Sequence, residues 1–201
     1  MRGKILALVG PSGIGKTTLI SQLVDVRGKF CRVLNTTTRP KRDYEINGRD
    51  YRFLTEEGFA DMRRHDVTLE ETLVEFGGHK FAVSLAEMAN VLRSGRIALV
   101  EMYMSRVTKF RVQFSEDFLA IYLLPGSLET LAHRLHKFRQ HDDEFIAGRM
   151  AQTERELDLL QREKLLHFDS MITPPDELVA AVNQLEQLIY RLIPLVVIPN
   201  C

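Results

Sequence analysis

Cysteine is nearly absent from this chain, which excludes a covalent framework. Only Cys31, at the start of an expected strand, and Cys201, at the last position, carry thiols among 201 residues. Neither stands at metal-ligand spacing, so a disulfide scaffold and a cysteine-based metal site are set aside, and a reducing cytoplasmic compartment is expected. Net charge is lacking too: 27 Lys and Arg balance 27 Asp and Glu. No whole-molecule field then draws the protein to nucleic acid or an anionic membrane, neither is expected as a partner, and basic residues must be judged by place.

Long hydrophobic runs are also missing. The stretch Leu192 to Ile198 is broken by Pro194, ended by Pro199, and far shorter than the roughly 20 residues a bilayer requires. It reads as a tail packed on the core, with a docking patch for a partner as the alternative. The apolar stretch near the N-terminus runs into a glycine-rich motif that signal cleavage would destroy, so export is not expected. His65, His79, His133, His136, His141 and His167 show no ligand spacing and are assigned to surface or packing roles. No repeat or low-complexity tract interrupts the chain, whose length suits one α/β domain with small inserts.

What is present begins with Gly10-Pro11-Ser12-Gly13-Ile14-Gly15-Lys16-Thr17, directly after the apolar run Ile5 to Val9. Every fixed position of the phosphate-loop spacing is filled. Glycines let backbone N–H groups turn inward around a polyphosphate, and a helix opening near Lys16 aims its positive end at the same charge. Lys16 is placed to reach the outer phosphates and the Thr17 hydroxyl to ligate Mg²⁺. The set from Gly10 to Thr18 is therefore the expected donor-nucleotide site, with the amphipathic helix continuing through Val24.

Apolar runs at 4–9, 31–34, 97–102 and 118–124 have the content of buried strands, and helical periodicities over 16–26, 56–65, 85–94, 127–137, 143–167 and 176–192 lie between them. Ser84, Ser127 and Asp176 are expected caps. That order predicts a parallel α/β fold. Residues 35–83 alternate Gly, Asp, Asn and aromatics with charge and predict an inserted, mostly β lobe overhanging the loop. The polar stretch 136–143 reads as an exposed, mobile segment between two helices.

Within the lobe, Arg39 and Arg42 sit three residues apart with Pro40 stiffening the path, so both guanidinium forks can converge on one phosphate dianion. Tyr51 can add a hydroxyl donor. A solvated basic turn is the alternative on spacing alone. The run Thr37-Thr38-Arg39-Pro40-Lys41-Arg42, followed by Glu45, Asn47-Gly48, Asp50-Tyr51 and Phe53, resembles guanylate kinases at nearly every defining position. With the phosphate loop, the resemblance covers the first 60 residues closely, and the order of elements agrees more loosely to about 190.

The resemblance implies a P-loop NTPase fold in which the core comprises 1–34, 84–135 and 151–201, the acceptor-binding lobe 35–83 and the lid 136–150. It implies transfer of the γ-phosphoryl of ATP, with Mg²⁺, to GMP or dGMP. Arg39, Arg42 and Tyr51 would hold the acceptor phosphate, Thr36 or Asn35 would lie near the base oxygen, and Glu70 or Glu71 would accept from guanine's donors. Counting back from Gly78 instead falls on Thr72. Arg139 and Arg149 would clamp the migrating group, Arg139 standing one residue from the family's lid arginine. Monomer and homodimer both remain open.

Three departures from the family pattern stand out. Phe81 replaces a tyrosine, Val83 occupies a hydroxyl position, and after the third strand Glu101 keeps one acid while Tyr103, read as a buried tyrosine, replaces a second. Glu101 is left to orient a metal-bound water or a base amino group. Met171 to Glu177 replaces the family's Asn-Asp turn beside the donor base. Two alternatives follow: a relative with another acceptor, such as a ribose bisphosphate phosphokinase, and a non-catalytic module of the guanylate kinase-like type.

Overall fold

The computed structural model describes residues 3–26, 29–66, 72–139, 143–162 and 168–193. At its centre lies β1 (Lys4–Val9), fully flanked by β7 (Ile97–Glu101) and β8 (Phe118–Leu123), with β2 (Phe30–Arg32) and β9 (Ser170–Ile172) at the edges. Every pairing in this sheet is parallel. β1 is covered on both faces, which explains why its sequence is a continuous apolar run rather than an alternating one. Its side chains still alternate in destination. Leu6 and Leu8 join Ile20, Leu23, Ile121 and Leu185 on one side, while Ile5, Ala7 and Val9 join Met88, Val100, Phe110 and Tyr122 on the other. Helices α1 (Lys16–Val26) and, at the C-terminal side, α7 (Leu178–Leu192) cover the first face; α3 (Leu85–Arg93) and α4 (Met104–Phe114) cover the second. Each large aliphatic side chain fully buried this way contributes about 1.5–3 kcal/mol.

A second sheet, ordered β4-β3-β6-β5, lies within residues 35–83. It comprises β3 (Asn35–Thr37), β4 (Arg52–Phe53), β5 (Val74–Phe76) and β6 (His79–Val83), with β5 and β6 joined by a turn at Gly77-Gly78. Helix α2 (Glu56–His65) follows β4, capped by the Thr55 hydroxyl, which accepts from the Gly58 N–H at 3.0 Å. Phe59 and Ala82 form its small apolar centre with Leu54, Met62 and Leu73. The chain crosses between the sheets twice, at Val33–Leu34 and at Ser84, and both crossings are short.

The remaining helices are α5 (Leu128–Arg139) and α6 (Asp143–Arg162). Helix α5 runs two residues past its expected end, into the segment read as an exposed connector, and residues 140–142 lie outside the described set. Residues 163–167, expected to continue α6, and the apolar tail at 194–201 also lie outside it. Helix α7 starts later than expected. Its cap is Glu177, whose carboxylate accepts from the N–H groups of Val179 and Ala180 at 3.0 and 2.7 Å. Asp176, the expected cap, instead takes an ion pair from Arg134 across the cleft beneath α5. Strand β9 was not expected at all, because three residues at a sheet edge carry too little period to show.

Candidate active site

The loop Gly10–Gly15 leaves the carboxyl end of β1 and enters α1. Gly10 has φ 145°, and a Cβ there would stand 2.7 Å from the Leu123 carbonyl oxygen. Gly15 has φ 108°, with nothing within 4 Å of where its Cβ would be, so the strain of any side chain would be conformational. Pro11 and Ile14 are buried and anchor the loop; Ser12, Gly13 and Thr17 are partly exposed and Thr18 is exposed. The Lys16 ammonium folds over the loop, donating to the carbonyls of Gly10 at 2.7 Å and Pro11 at 2.9 Å. The first turn of α1 carries no acidic side chain to compete with an anion at its positive end. Beside Ile14 opens a cleft of about 260 Å³ lined by Pro125, Gly126, Ser127, Thr130, Arg134 and the Thr173–Asp176 turn.

Arg39 and Arg42 do converge, and they converge on a residue that spacing arguments passed over. Glu45 is 6% exposed. Arg39 grips it with both arms of its fork, Nη1 to Oε2 at 3.0 Å and Nη2 to Oε1 at 2.7 Å, while Arg42 reaches Oε1 at 3.3 Å and its backbone N–H donates to Oε2 at 2.8 Å. Burial pushes the Glu45 carboxyl up, but its hydrogen bonds to Arg39 and Arg42 and their charges outweigh it and hold it below the ordinary range. Arg39 also lies over the rings of Tyr51 and Phe53, at 5.5 and 5.3 Å. Between its ion pair and the Pro40 carbonyl, Arg39 uses three of the five N–H groups a guanidinium owns.

Tyr51 donates its hydroxyl to Glu101 Oε2 at 3.3 Å, and Arg32 Nη2 donates to Oε1 at 3.2 Å. Arg32 also reaches the Asp50 carbonyl at 2.8 Å, and Asn35 Nδ2 donates to the Glu101 carbonyl at 2.9 Å. Arg32 thus ties the end of β2 to β7 and to the lobe, a role with no sequence signature. The Met102 N–H donates to the Leu8 carbonyl at 3.1 Å, so this network stands at the same strand-end edge as the phosphate loop.

Thr36 does not face this network. It is fully buried, its hydroxyl turned toward Met62 Sδ, and Asn35 lines the space expected for it. The register decides: Asn35 pairs with Val83 and Thr36 with Ala82, and neighbouring strand residues point to opposite faces. Phe81 is 8% exposed and meets Tyr103 edge-on, centroids 5.6 Å apart. Burial pushes the Tyr103 hydroxyl up to about 12. Glu70 and Glu71 lie outside the described residues.

Arg149, on α6, places its guanidinium 4.1 Å from the centre of the Phe76 ring in the lobe. Arg139 is the last residue of α5. Two turns along α6 from Arg149 stands Glu156, which no sequence argument singled out. Gln152 Nε2 donates to its Oε1 at 2.9 Å. Burial raises its carboxyl above the ordinary range, against the pull of Gln152, Lys16, the Tyr122 hydroxyl and Arg149. Among the described residues no cluster of three or more His, Cys, Asp and Glu could hold a metal ion, and no helix is long and apolar enough to cross a membrane.

A glycine loop between the central strand of a parallel sheet and a helix, with a second, smaller sheet inserted beside it, defines a P-loop α/β protein with an inserted lobe. The guanylate kinase family model matches residues 2–192. Guanylate kinases of Rhodopseudomonas palustris and a Nostoc species are 33% and 30% identical to this chain over 187 and 186 residues. Those stretches span 93% and 92% of this chain and 84% and 89% of the relatives. A solved guanylate kinase from Anaplasma phagocytophilum matches the fold with a TM-score of 0.72 at 19% identity, covering 94% of this chain and 86% of that one. The chain belongs to the guanylate kinase family and is a kinase of the P-loop class.

Proposed function

We propose that this kinase moves the γ-phosphoryl of ATP onto GMP or dGMP, giving ADP and the nucleoside diphosphate. The observation that carries the reading is the convergence of Arg39 and Arg42 on one carboxylate at the strand-end edge that also holds the phosphate loop. Two oxygens shared between two guanidinium groups approximate what a phosphate dianion would present to them.

The loop amides and Lys16 hold the donor phosphates; on donor binding Lys16 exchanges the Gly10 and Pro11 carbonyls for phosphate oxygens. The cleft beside Ile14 has room for the donor's base. Thr17 suits a Mg²⁺ site completed by phosphate oxygens and water, since a hydroxyl at the loop's exit is a hard oxygen donor. Mg²⁺ would neutralise charge on the bridging phosphates. Glu45 keeps both arginine forks oriented, and the acceptor dianion is met by the N–H groups that Glu45 leaves over. Arg149 and Arg139 close over the migrating group and exclude water. No side-chain base is needed, because the attacking phosphate oxygen is already anionic.

The test is a coupled assay of ADP release. GMP-dependent turnover that disappears in Lys16→Ala is the expected result. Turnover with a sugar phosphate but not GMP, or none with any acceptor, would overturn the reading.

A further inference from the structure

Arg32 is the last residue of β2, where the chain leaves the core sheet for the lobe, and only 11% of its side chain is exposed. Three elements meet on its guanidinium. Nη1 donates to the Ser21 hydroxyl of α1 at 3.2 Å, and Nη2 donates to the Asp50 carbonyl of the lobe at 2.8 Å and to Glu101 Oε1 of β7 at 3.2 Å. The Asp50 carboxylate lies 3.7 Å from Nη1. Both acids are buried, so each depends on nearby cations and donors to stay ionised at low cost. A planar fork spans these oxygens; an ammonium, a point charge, does not.

Both contacts of Nη2 bear on Tyr51. One fixes the main chain of the residue before it, and the other fixes the carboxylate to which the Tyr51 hydroxyl donates at 3.3 Å. Tyr51 is thus held at its backbone and at its tip by one cation of the core sheet. Its ring in turn carries Arg39, whose guanidinium lies 5.5 Å from the ring centre. A phenol has one proton and a phosphate dianion only accepts, so Tyr51 reaches an acceptor phosphate by exchanging Glu101 for it. Arg32 keeps Glu101 paired through that exchange. Without it, the buried carboxylate would hold the Tyr51 proton more strongly.

Resting on the phosphotransfer reading, we infer that Arg32 is a positioning residue of the acceptor site, setting Tyr51, and with it the bed on which Arg39 lies, through Glu101 and the Asp50 carbonyl. It acts through Tyr51 rather than on the substrate. The donor site does not share this dependence, because α1 is anchored in the core by Leu19, Ile20 and Leu23 as well as by Ser21.

The test is steady-state kinetics of the full chain with ATP and GMP varied in turn. Arg32→Met should raise KM for GMP by about tenfold or more, with KM for ATP within about twofold of the native value and kcat little changed. Arg32→Lys keeps a cation beside Glu101, so the measurement survives if Arg32→Met fails to fold, and it should show the same split at about threefold. A double-mutant cycle adds the readout that a merely structural role would not move. In a Tyr51→Leu background, which has lost both ring and hydroxyl, Arg32→Met or Arg32→Lys should change KM for GMP by less than about twofold. An unchanged KM for GMP, a rise shared equally by ATP, a loss confined to kcat, or effects at Arg32 and Tyr51 that multiply would each overturn the inference while leaving the phosphotransfer reading standing. A native chain without GMP-dependent turnover overturns that reading, and the inference with it.

Discussion

Arg39 shows why residue identity matters more than charge at this site. Its planar fork binds the two Glu45 oxygens in parallel while its flat face lies over Tyr51 and Phe53, and an ammonium, a point charge without a plane, cannot do both at once. Arg39→Lys should therefore keep the charge and still raise KM for the acceptor by about 10- to 100-fold, the value of one or two charge-assisted hydrogen bonds. Steady-state kinetics with varied acceptor check it, and an unchanged KM would show that charge alone suffices. Glu156 gives a second expectation. Its unfolded carboxyl titrates near 4.5 and its folded one higher, because burial disfavours the charged form. Below 4.5 both states are protonated and nothing is lost; as pH rises through the folded value, ionisation costs the native state stability. Glu156→Gln removes that cost, so its gain in melting temperature over the native chain should be small near about pH 4 and larger near about pH 8; equal gains would refute it. At this scale the legible residues were those bound to a motif, such as Lys16, Arg39 and Arg42. Glu45 stood in the motif without an assigned role, and Arg32 and Glu156 stood in none, since a charged residue in a charged stretch reads the same whether it ends in solvent or inside an ion pair. Of the two candidates for the base oxygen, Asn35 lines the space and Thr36, one register position on, points to the opposite face.

Elements were legible where their period was long. The central strands showed as continuous apolar runs, and the glycine spacing marked the loop between β1 and α1. The edge strand β9 stayed hidden, being only three residues recruited by Ile121 to Leu123 through backbone pairing. The cap of α7 slipped by one residue because Asp176 and Glu177 are both able caps, and the ion pair with Arg134 claims the first. Ser84 joins elements that sequence reads separately. Its hydroxyl accepts from the Glu87 N–H at 3.1 Å, capping α3, and donates to Asp66 at the end of α2. One side chain thus starts a core helix and fastens the lobe beside the crossing between the two sheets. Ser84→Ala should cost about 1–2 kcal/mol through the lost cap, seen as a fall in melting temperature of about 2–8 °C. Ser84→Thr, which retains the hydroxyl, should recover most of it, and equal losses in both variants would mean that packing rather than capping is at stake.

For the molecule as a whole, the two proposed anion cradles belong to different sheets joined by short crossings, and the net charge is zero. Long-range attraction then contributes little to capture, so affinity must come from local contacts made when the cradles approach each other. A ligand that occupies both cradles shares one loss of translational freedom between two sets of contacts. An adenosine–guanosine dinucleotide bridged by five phosphates meets that condition, offering one base to the cleft beside Ile14 and the other to the lobe. It should bind at least about tenfold more tightly than ATP or GMP alone, measured by calorimetry. At about a hundredfold excess over its dissociation constant it should add about 2.7 kcal/mol to stability, or about 5–10 °C in melting temperature. Binding no tighter than by the weaker single nucleotide would mean that the crossings at Val33–Leu34 and Ser84 cannot bring the arginine pair and the loop to one phosphorus atom, and direct transfer between the two sites would then be excluded.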